Sequence, residues 1–369
     1  MQKLISRIFL LLCILALFSC HIDKERVADT SLYTYEIPLS FNDSINTASA
    51  DTHSISIDML TDLVNTVRQG RIQGVDSLLI AMNNDLVLEE YFAGWVREDI
   101  HDLRSATKSI TGLLAGIAID QQLLRLDTPV YPHFRTYYPT TDNWTPDKNH
   151  IQLKDFLNMS SGHACNDDDP KSPGNEEKMY RYRDWVKFIL DLPIARRPSV
   201  WFSYCTGGVQ VVARMIENVS GMSLSAYARN SLFESMGISN YQWSVTGSGR
   251  TEGSGHIYMR SRDMLKLGLL VLNSGQWNGQ QLVSAQWIEQ LHQPFYDFYG
   301  NFWWHRNFEP ADGSYPKTDA IYASGNGGQQ IWIFSGLQLI VVLTANNYNQ
   351  RVVSNEIIQD YILPAVYGQ

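Results

Sequence analysis

The sequence predicts an α+β fold: an antiparallel sheet flanked by helices, joined to a second lobe that is mostly helical. Three observations carry this expectation. Residues 77–82 and 86–92 read as strands around Asn83-Asn84-Asp85, a hairpin signal. Residues 300–305, 320–324, 329–334 and 337–344 read as a second set of strands near the C-terminus. Between the two sets, about 125–245, lie helical segments separated by Pro- and Asp-rich loops. Strands in runs, rather than alternating with helices, indicate α+β. The early and late strands then share one sheet, and a cleft between sheet and helical lobe is a common place for a site.

The chain opens with Lys3 and Arg7 followed by an almost wholly apolar run over 8–18. That run is too short to span a bilayer and has the form of a signal-peptide core. It ends in Leu17-Phe18-Ser19-Cys20, which resembles a bacterial lipobox. The resemblance implies a signal over 1–19, a lipid on Cys20, and a chain held at a membrane surface without spanning it. An ordinary secretory signal with an incidental cysteine is the competing reading. The expected location is the bacterial cell envelope, on the periplasmic or outer-membrane face. Residues 20–54, rich in Asp, Ser and Thr, read as a lipid-anchored tether and extended lead-in, and 55–366 as the globular domain.

The formal net charge is −9, and loss of Lys3 and Arg7 with the signal makes the remainder more acidic still. Such a surface argues against nucleic acid as a partner. A hydrophobic content of 44% without repeats describes a well-cored globular protein. Of four cysteines, Cys13 and Cys20 fall in the export region, leaving Cys165 and Cys205 as either a disulfide or two buried thiols.

Taken in order, 55–70 has helical spacing and stops at Gly70, and 105–123 is a long helix with Ile110, Leu113, Leu114, Ile117 and Ala118 on one stripe. Further helices are read over 153–158, 183–192, 208–219, 261–272, 284–292 and 352–365. Trp303 and Trp304 are adjacent, so on a strand they face opposite sides; one can line the cleft while the other packs.

Ser105-Ala106-Thr107-Lys108 opens the long helix. Residues three apart share a helix face, so Ser105 Oγ and Lys108 Nζ are within reach of each other. Free backbone N–H groups at a helix start favour developing negative charge. An amine stripped of water favours its neutral form, which can take a hydroxyl proton. Spacing alone is weak: an N-cap serine beside an exposed lysine also fits. Ser314-Tyr315-Pro316-Lys317 has the same spacing, but Pro316 disfavours helix there, and it reads as a solvated loop. Two further segments add context. Tyr204 precedes Thr206 and an apolar helix, and Gly325-Asn326-Gly327-Gly328 opens the strand at 329–334, where glycine lets backbone approach a ligand.

The ordered set Ser105-x-x-Lys108, Tyr204-x-Thr206 and a Gly-rich strand near the C-terminus resembles the serine β-lactamase and penicillin-binding-protein superfamily. It is most similar to the class C-type branch with its esterases and 6-aminohexanoate-dimer hydrolases. The similarity covers roughly 55–366 and includes Met159-Ser160-Ser161-Gly162 and Arg260-Ser261-x-Asp263. It implies a β-lactamase/transpeptidase-like fold, Ser105 as acyl-forming nucleophile, and Lys108 and Tyr204 as general base and acid. It implies no cofactor. It also implies an oxyanion site from the N–H groups of Ser105 and Gly325, with Thr206, Ser324 and Asn326 near the substrate.

The departures bear on the substrate. Thr206 stands where the family has an amide-bearing Asn, and the Lys/His-Thr-Gly triplet falls on Tyr322-Ala323-Ser324, counting back from Gly328. The cation that pairs a β-lactam or D-Ala-D-Ala carboxylate is absent, which favours an uncharged ester or amide as the small-molecule substrate. A β-lactamase or D-Ala-specific peptidase is the alternative within the class. A binding lipoprotein that keeps the fold without the chemistry is the alternative outside it. The histidines show no metal-ligand spacing and no G-x-S-x-G elbow occurs, so no metal site is expected. His163 reads as a polar loop residue and Asn166-Asp167-Asp168-Asp169 as a solvated turn.

Overall fold

The computed structural model describes residues 31–368, so the expected signal and Cys20 lie outside the described residues. An eight-stranded sheet forms the centre. Its strands are β1 (Asn46–Thr47), β2 (Val75–Met82), β3 (Asp85–Tyr91), β4 (Tyr299–Gly300), β5 (Trp303–Phe308), β6 (Thr318–Gly325), β7 (Gln329–Phe334) and β8 (Leu339–Ala345). Their order is β1-β3-β2-β8-β7-β6-β5-β4. Only the β1–β3 pair is parallel. The early hairpin therefore docks its β2 edge onto the last strand of the chain, as the two sets of strand-like runs predicted.

Local chemistry explains the hairpin. Asn83 and Asn84 both take positive φ, 50° and 72°, the twist that a two-residue turn between right-handed strands requires. Asparagine tolerates that conformation better than most residues. β7 and β8 are buried along their whole length because helices cover both faces of the sheet. Ile331, Ile333, Ile340 and Val342 join one core, and Trp332, Phe334, Val341 and Leu343 the other. The second core is closed by α1 (Ile57–Arg68) and a C-terminal helical segment over 354–367. The first is closed by α2 (Thr107–Asp120), α3 (Thr206–Ser220) and α4 (Ser261–Leu272).

The structure departs from the sequence reading in two ways. The lead-in is packed from its first described residues: Tyr33 is 7% exposed, Tyr35 Oη donates to the Val87 carbonyl at 2.8 Å, and β1 joins the sheet edge. The packed body thus begins well before residue 55, because tyrosines in the polar segment anchor it. Helix α2 is buried from Thr107 to Ala118, with no exposed face opposite the apolar stripe. It runs between the sheet and α3, so even its Thr and Ser positions are enclosed. Ser109 Oγ donates to the Phe302 carbonyl at 2.7 Å and Thr111 Oγ1 to the Gly253 carbonyl at 2.6 Å.

The helical lobe holds short helices, among them Leu153–Leu157 and Trp185–Asp191, the second started by Asp184 accepting from the Val186 and Lys187 N–H groups. Cys165 and Cys205 are joined as a disulfide. Among the described residues, no helix is long and apolar enough to cross a membrane.

Candidate active site

A short strand, His101–Asp102, feeds a 3₁₀ turn over Arg104–Ala106, and α2 starts at Thr107. Ser105 therefore sits in the tight turn before the α-helix rather than at its first position. The turn is fixed by Ala106 N–H donating to the Leu103 carbonyl and Arg104 N–H donating to Asp102 Oδ1, both at 3.0 Å. Arg104 holds φ +48°, a left-handed conformation that costs an L-residue energy and is sustained by its surroundings. Lys108 Nζ donates to Ser105 Oγ at 2.9 Å and to the Ser254 carbonyl at 2.8 Å. The lysine is 2% exposed, so its amine is directed by these two oxygens with little water around it.

Tyr204 comes from the segment preceding α3. Its ring lies over the lysine amine, 5.2 Å from centroid to Nζ. The ring is backed by Trp304, stacked at 5.7 Å and 25°. Trp303, the other member of the pair, is 1% exposed and packs in the core on the α2 side. One indole packs and one stands beside the site, as strand alternation requires.

Several charged groups around this trio are not read as site residues from the sequence, which places Asp167 in a solvated turn. Asp167 accepts from Thr206 N–H at 2.6 Å and from Glu176 N–H at 2.9 Å. Burial pushes its carboxyl up to about 6, against the opposing pull of the Thr206 N–H and the Lys108 charge. Asp167 is thus partly enclosed beside the site, while Asp168 and Asp169 form the expected solvated turn. Glu252 is 5% exposed, and burial likewise raises its carboxyl, opposed by the charges of His256 and Lys108. His256 Nδ1 lies 2.9 Å from Asp102 Oδ2. That hydrogen bond raises the imidazole. Burial works against ionisation of Asp102, but His256 and Arg104 outweigh it and lower the carboxyl. A chain of polar contacts thus reaches from Glu252 to His256 at 3.9 Å, on to Asp102 at 2.9 Å, and from Asp102 to Arg104, the residue before Ser105, at 2.9 Å.

The remaining sequence-predicted positions divide. Gly325 ends β6 against the Ser105 turn: a Cβ there would collide with the Leu103 carbonyl and come within 3.2 Å of the Ala106 nitrogen. Only glycine allows that approach. The glycine of the sheet-edge triplet is therefore Gly325, one place later than the count from Gly328 gave. The triplet becomes Ala323-Ser324-Gly325, which still holds no cation, and its first residue, Ala323, is 1% exposed in the core. Ser324 Oγ accepts from Gln330 Nε2 at 3.1 Å. Asn326 is exposed, but its side chain is paired both ways with Asn349. Thr206 is 2% exposed and its N–H holds Asp167, so it is enclosed rather than open to a ligand. His163 is not a loop surface residue. It is 5% exposed, bonded to Tyr131 Oη at 2.7 Å and Ser161 Oγ at 3.0 Å, and burial pushes it down to about 3. Ser314 and Lys317 lie in a loop with no helix between them.

A sheet with a buried Ser-x-x-Lys helix, capped by a helical lobe, is the arrangement of the β-lactamase/transpeptidase-like fold. The chain belongs to the Beta-lactamase family, whose model matches residues 60–359. It is 26% identical over 231 residues to the 6-aminohexanoate-dimer hydrolase of Paenarthrobacter ureafaciens, a match covering 58% of this chain and 56% of that protein. The match thus spans little more than half the length of that relative. Among solved structures, a putative 6-aminohexanoate-dimer hydrolase from Bacillus anthracis superposes with a TM-score of 0.67 at 17% identity, over 81% of this chain and 80% of the other. A family VIII carboxylesterase superposes with a TM-score of 0.64 at 12% identity, over 83% and 96%.

Proposed function

We propose that the protein is a serine hydrolase that cleaves uncharged esters or amides through an acyl-enzyme on Ser105. The observation that carries the reading is the 2.9 Å contact between Ser105 Oγ and the enclosed Lys108 amine. In the cycle, the Lys108 amine acts as the general base, taking the hydroxyl proton as Oγ attacks the substrate carbonyl carbon. The oxyanion is held by backbone N–H groups of Ser105 and of the β6 terminus at Gly325 and Asn326. Collapse expels the alcohol or amine, which leaves with a proton passed through Tyr204. Water then attacks the acyl-enzyme, its proton returns through the same pair, and the carboxylic acid departs with Ser105 restored. Removing one oxyanion donor in such sites typically costs about 3 kcal/mol.

The absence of a cation on Ala323-Ser324-Gly325 supports an uncharged substrate over a β-lactam or D-Ala peptide. The proposal includes export and lipidation at Cys20, which would hold the enzyme at a membrane of the cell envelope. Purified protein assayed side by side on nitrophenyl esters and nitrocefin tests the substrate reading. Rapid ester hydrolysis with slow or absent nitrocefin turnover is expected, and the reverse ranking contradicts it.

A further inference from the structure

We infer that Asp102 and His256 are positioning residues: their hydrogen bond clamps the turn carrying Ser105 to the turn whose carbonyl aims Lys108. The clamp keeps nucleophile and base in register, and neither residue takes part in the acyl-transfer steps themselves. The inference rests on the hydrolase reading above and adds to it how the reacting pair is held.

Ser105 and Lys108 share one stretch of chain, but the oxygen that aims the amine does not belong to it. That oxygen, the Ser254 carbonyl, lies in a turn with Gly253 and Gly255 on either side. Glycine backbone is freer than any other, so such a turn holds its carbonyl still only if both ends are pinned. The upstream end is pinned by Gln210 of α3, whose Oε1 accepts from Gly253 N–H at 2.9 Å and whose Nε2 donates to the Thr251 carbonyl at 2.8 Å. At the downstream end His256 takes φ +54°, and its Nδ1 donates to Asp102 Oδ2 at 2.9 Å. Asp102 is 9% exposed and shapes the other turn as well. Its Oδ1 accepts from Arg104 N–H at 3.0 Å, and Arg104 Nε lies 2.9 Å from Oδ2. One carboxylate thus grips both the left-handed residue directly before Ser105 and the residue two places after Ser254. Backbone bonds also hold this segment, from Ser244 N–H to the His256 carbonyl and from Leu103 N–H to the Ile257 carbonyl. Only the imidazole, however, reaches the carboxylate that bends the chain into Ser105, and a hydrogen bond to a carboxylate is stronger than one between neutral groups. Proton transfer and attack depend on close alignment, so loosening the clamp lowers turnover more than substrate binding.

The test compares His256→Gly with His256→Asn on a nitrophenyl ester. Both replacements tolerate the left-handed backbone, but only Asn offers an N–H at the δ position to Asp102. The Gly variant is expected to lower kcat by at least about tenfold with KM changed by less than about threefold, and the Asn variant to recover most of that loss. Amide hydrogen exchange supplies a readout independent of turnover. His256→Gly is expected to speed exchange over 102–106, and Asp102→Ala to speed it over 252–256, so either variant reports if the other fails to fold. Equal kcat in the Gly and Asn variants of an active enzyme, or unchanged exchange across the link, overturns the clamp while leaving the hydrolase reading intact. Faster exchange across the link, in a protein whose wild type neither turns over the ester nor takes a fluorophosphonate label, supports the clamp and overturns the hydrolase reading.

Discussion

Lys108 and Ser105 are joined by a 2.9 Å hydrogen bond inside a site where the lysine is 2% exposed. The Ser254 carbonyl fixes the amine from its other side at 2.8 Å, so the amine is aimed rather than free to rotate away. That carbonyl lies 146 residues from the lysine in sequence.

Replacing Lys108 with Met keeps the bulk of the side chain and removes the amine. Hydrolysis is expected to fall by roughly 10²–10⁴-fold in kcat, the range of a lost general base. Steady-state kinetics on a nitrophenyl ester checks this, with a thermal melt showing that the fold persists. Activity within a few-fold of wild type would remove Lys108 from the mechanism.

Gly325→Ala drives a methyl group into the Leu103 carbonyl and toward the Ala106 nitrogen. The strand must retreat from the Ser105 turn, at a cost of about 1–3 kcal/mol in stability. Because the retreat displaces the proposed oxyanion donors, kcat should fall by more than tenfold while KM changes less. Equal kcat in the variant would show that β6 takes no part in the chemistry.

The Cys165–Cys205 bond ties the Asp167 loop to the segment carrying Tyr204. Backbone bonds reinforce the link, from Asp167 N–H to the Tyr204 carbonyl at 2.9 Å. Reduction, or the double change to Ser, is expected to lower stability by about 2–4 kcal/mol, mainly through a less constrained unfolded chain. Thermal melts with and without dithiothreitol measure it; unchanged melting temperatures contradict it.

Asp167 makes stability depend on pH in a defined direction. Its carboxyl is raised to about 6 in the fold, against an ordinary carboxylate value near 3.9 in the unfolded chain. Between these values the folded state binds the extra proton, so this contribution is complete below about pH 4 and lost as pH rises through 6. The difference is at most about 3 kcal/mol. Denaturant unfolding of wild type and Asp167→Asn across pH 4–7 should show the wild type losing stability relative to the variant. Parallel profiles would mean that Asp167 titrates as an ordinary surface carboxylate.

Much of the fold was legible because its signals are local. The Asn83-Asn84 turn, the apolar runs of β7 and β8, and the i, i+3 spacing of Ser105 and Lys108 all sit within a few residues. What stayed hidden is assembled by distant segments. Ser254, Glu252 and Asp167 reach the site through loops whose sequences carry no periodicity. Burial also defeated local reading: α2 shows an apolar stripe, yet the sheet and α3 enclose its polar positions as well. His163 was misread for the same reason, since a histidine flanked by Gly162 and Ala164 gives no hint that Tyr131 will cover it.

The central claim is that Ser105 carries the acyl group. Incubating purified protein with a fluorophosphonate and mapping the adduct by mass spectrometry tests it directly. The account predicts one stoichiometric label on the peptide containing Ser105, absent in Ser105→Ala. A folded wild-type protein that takes no label, or takes it on another serine, contradicts it.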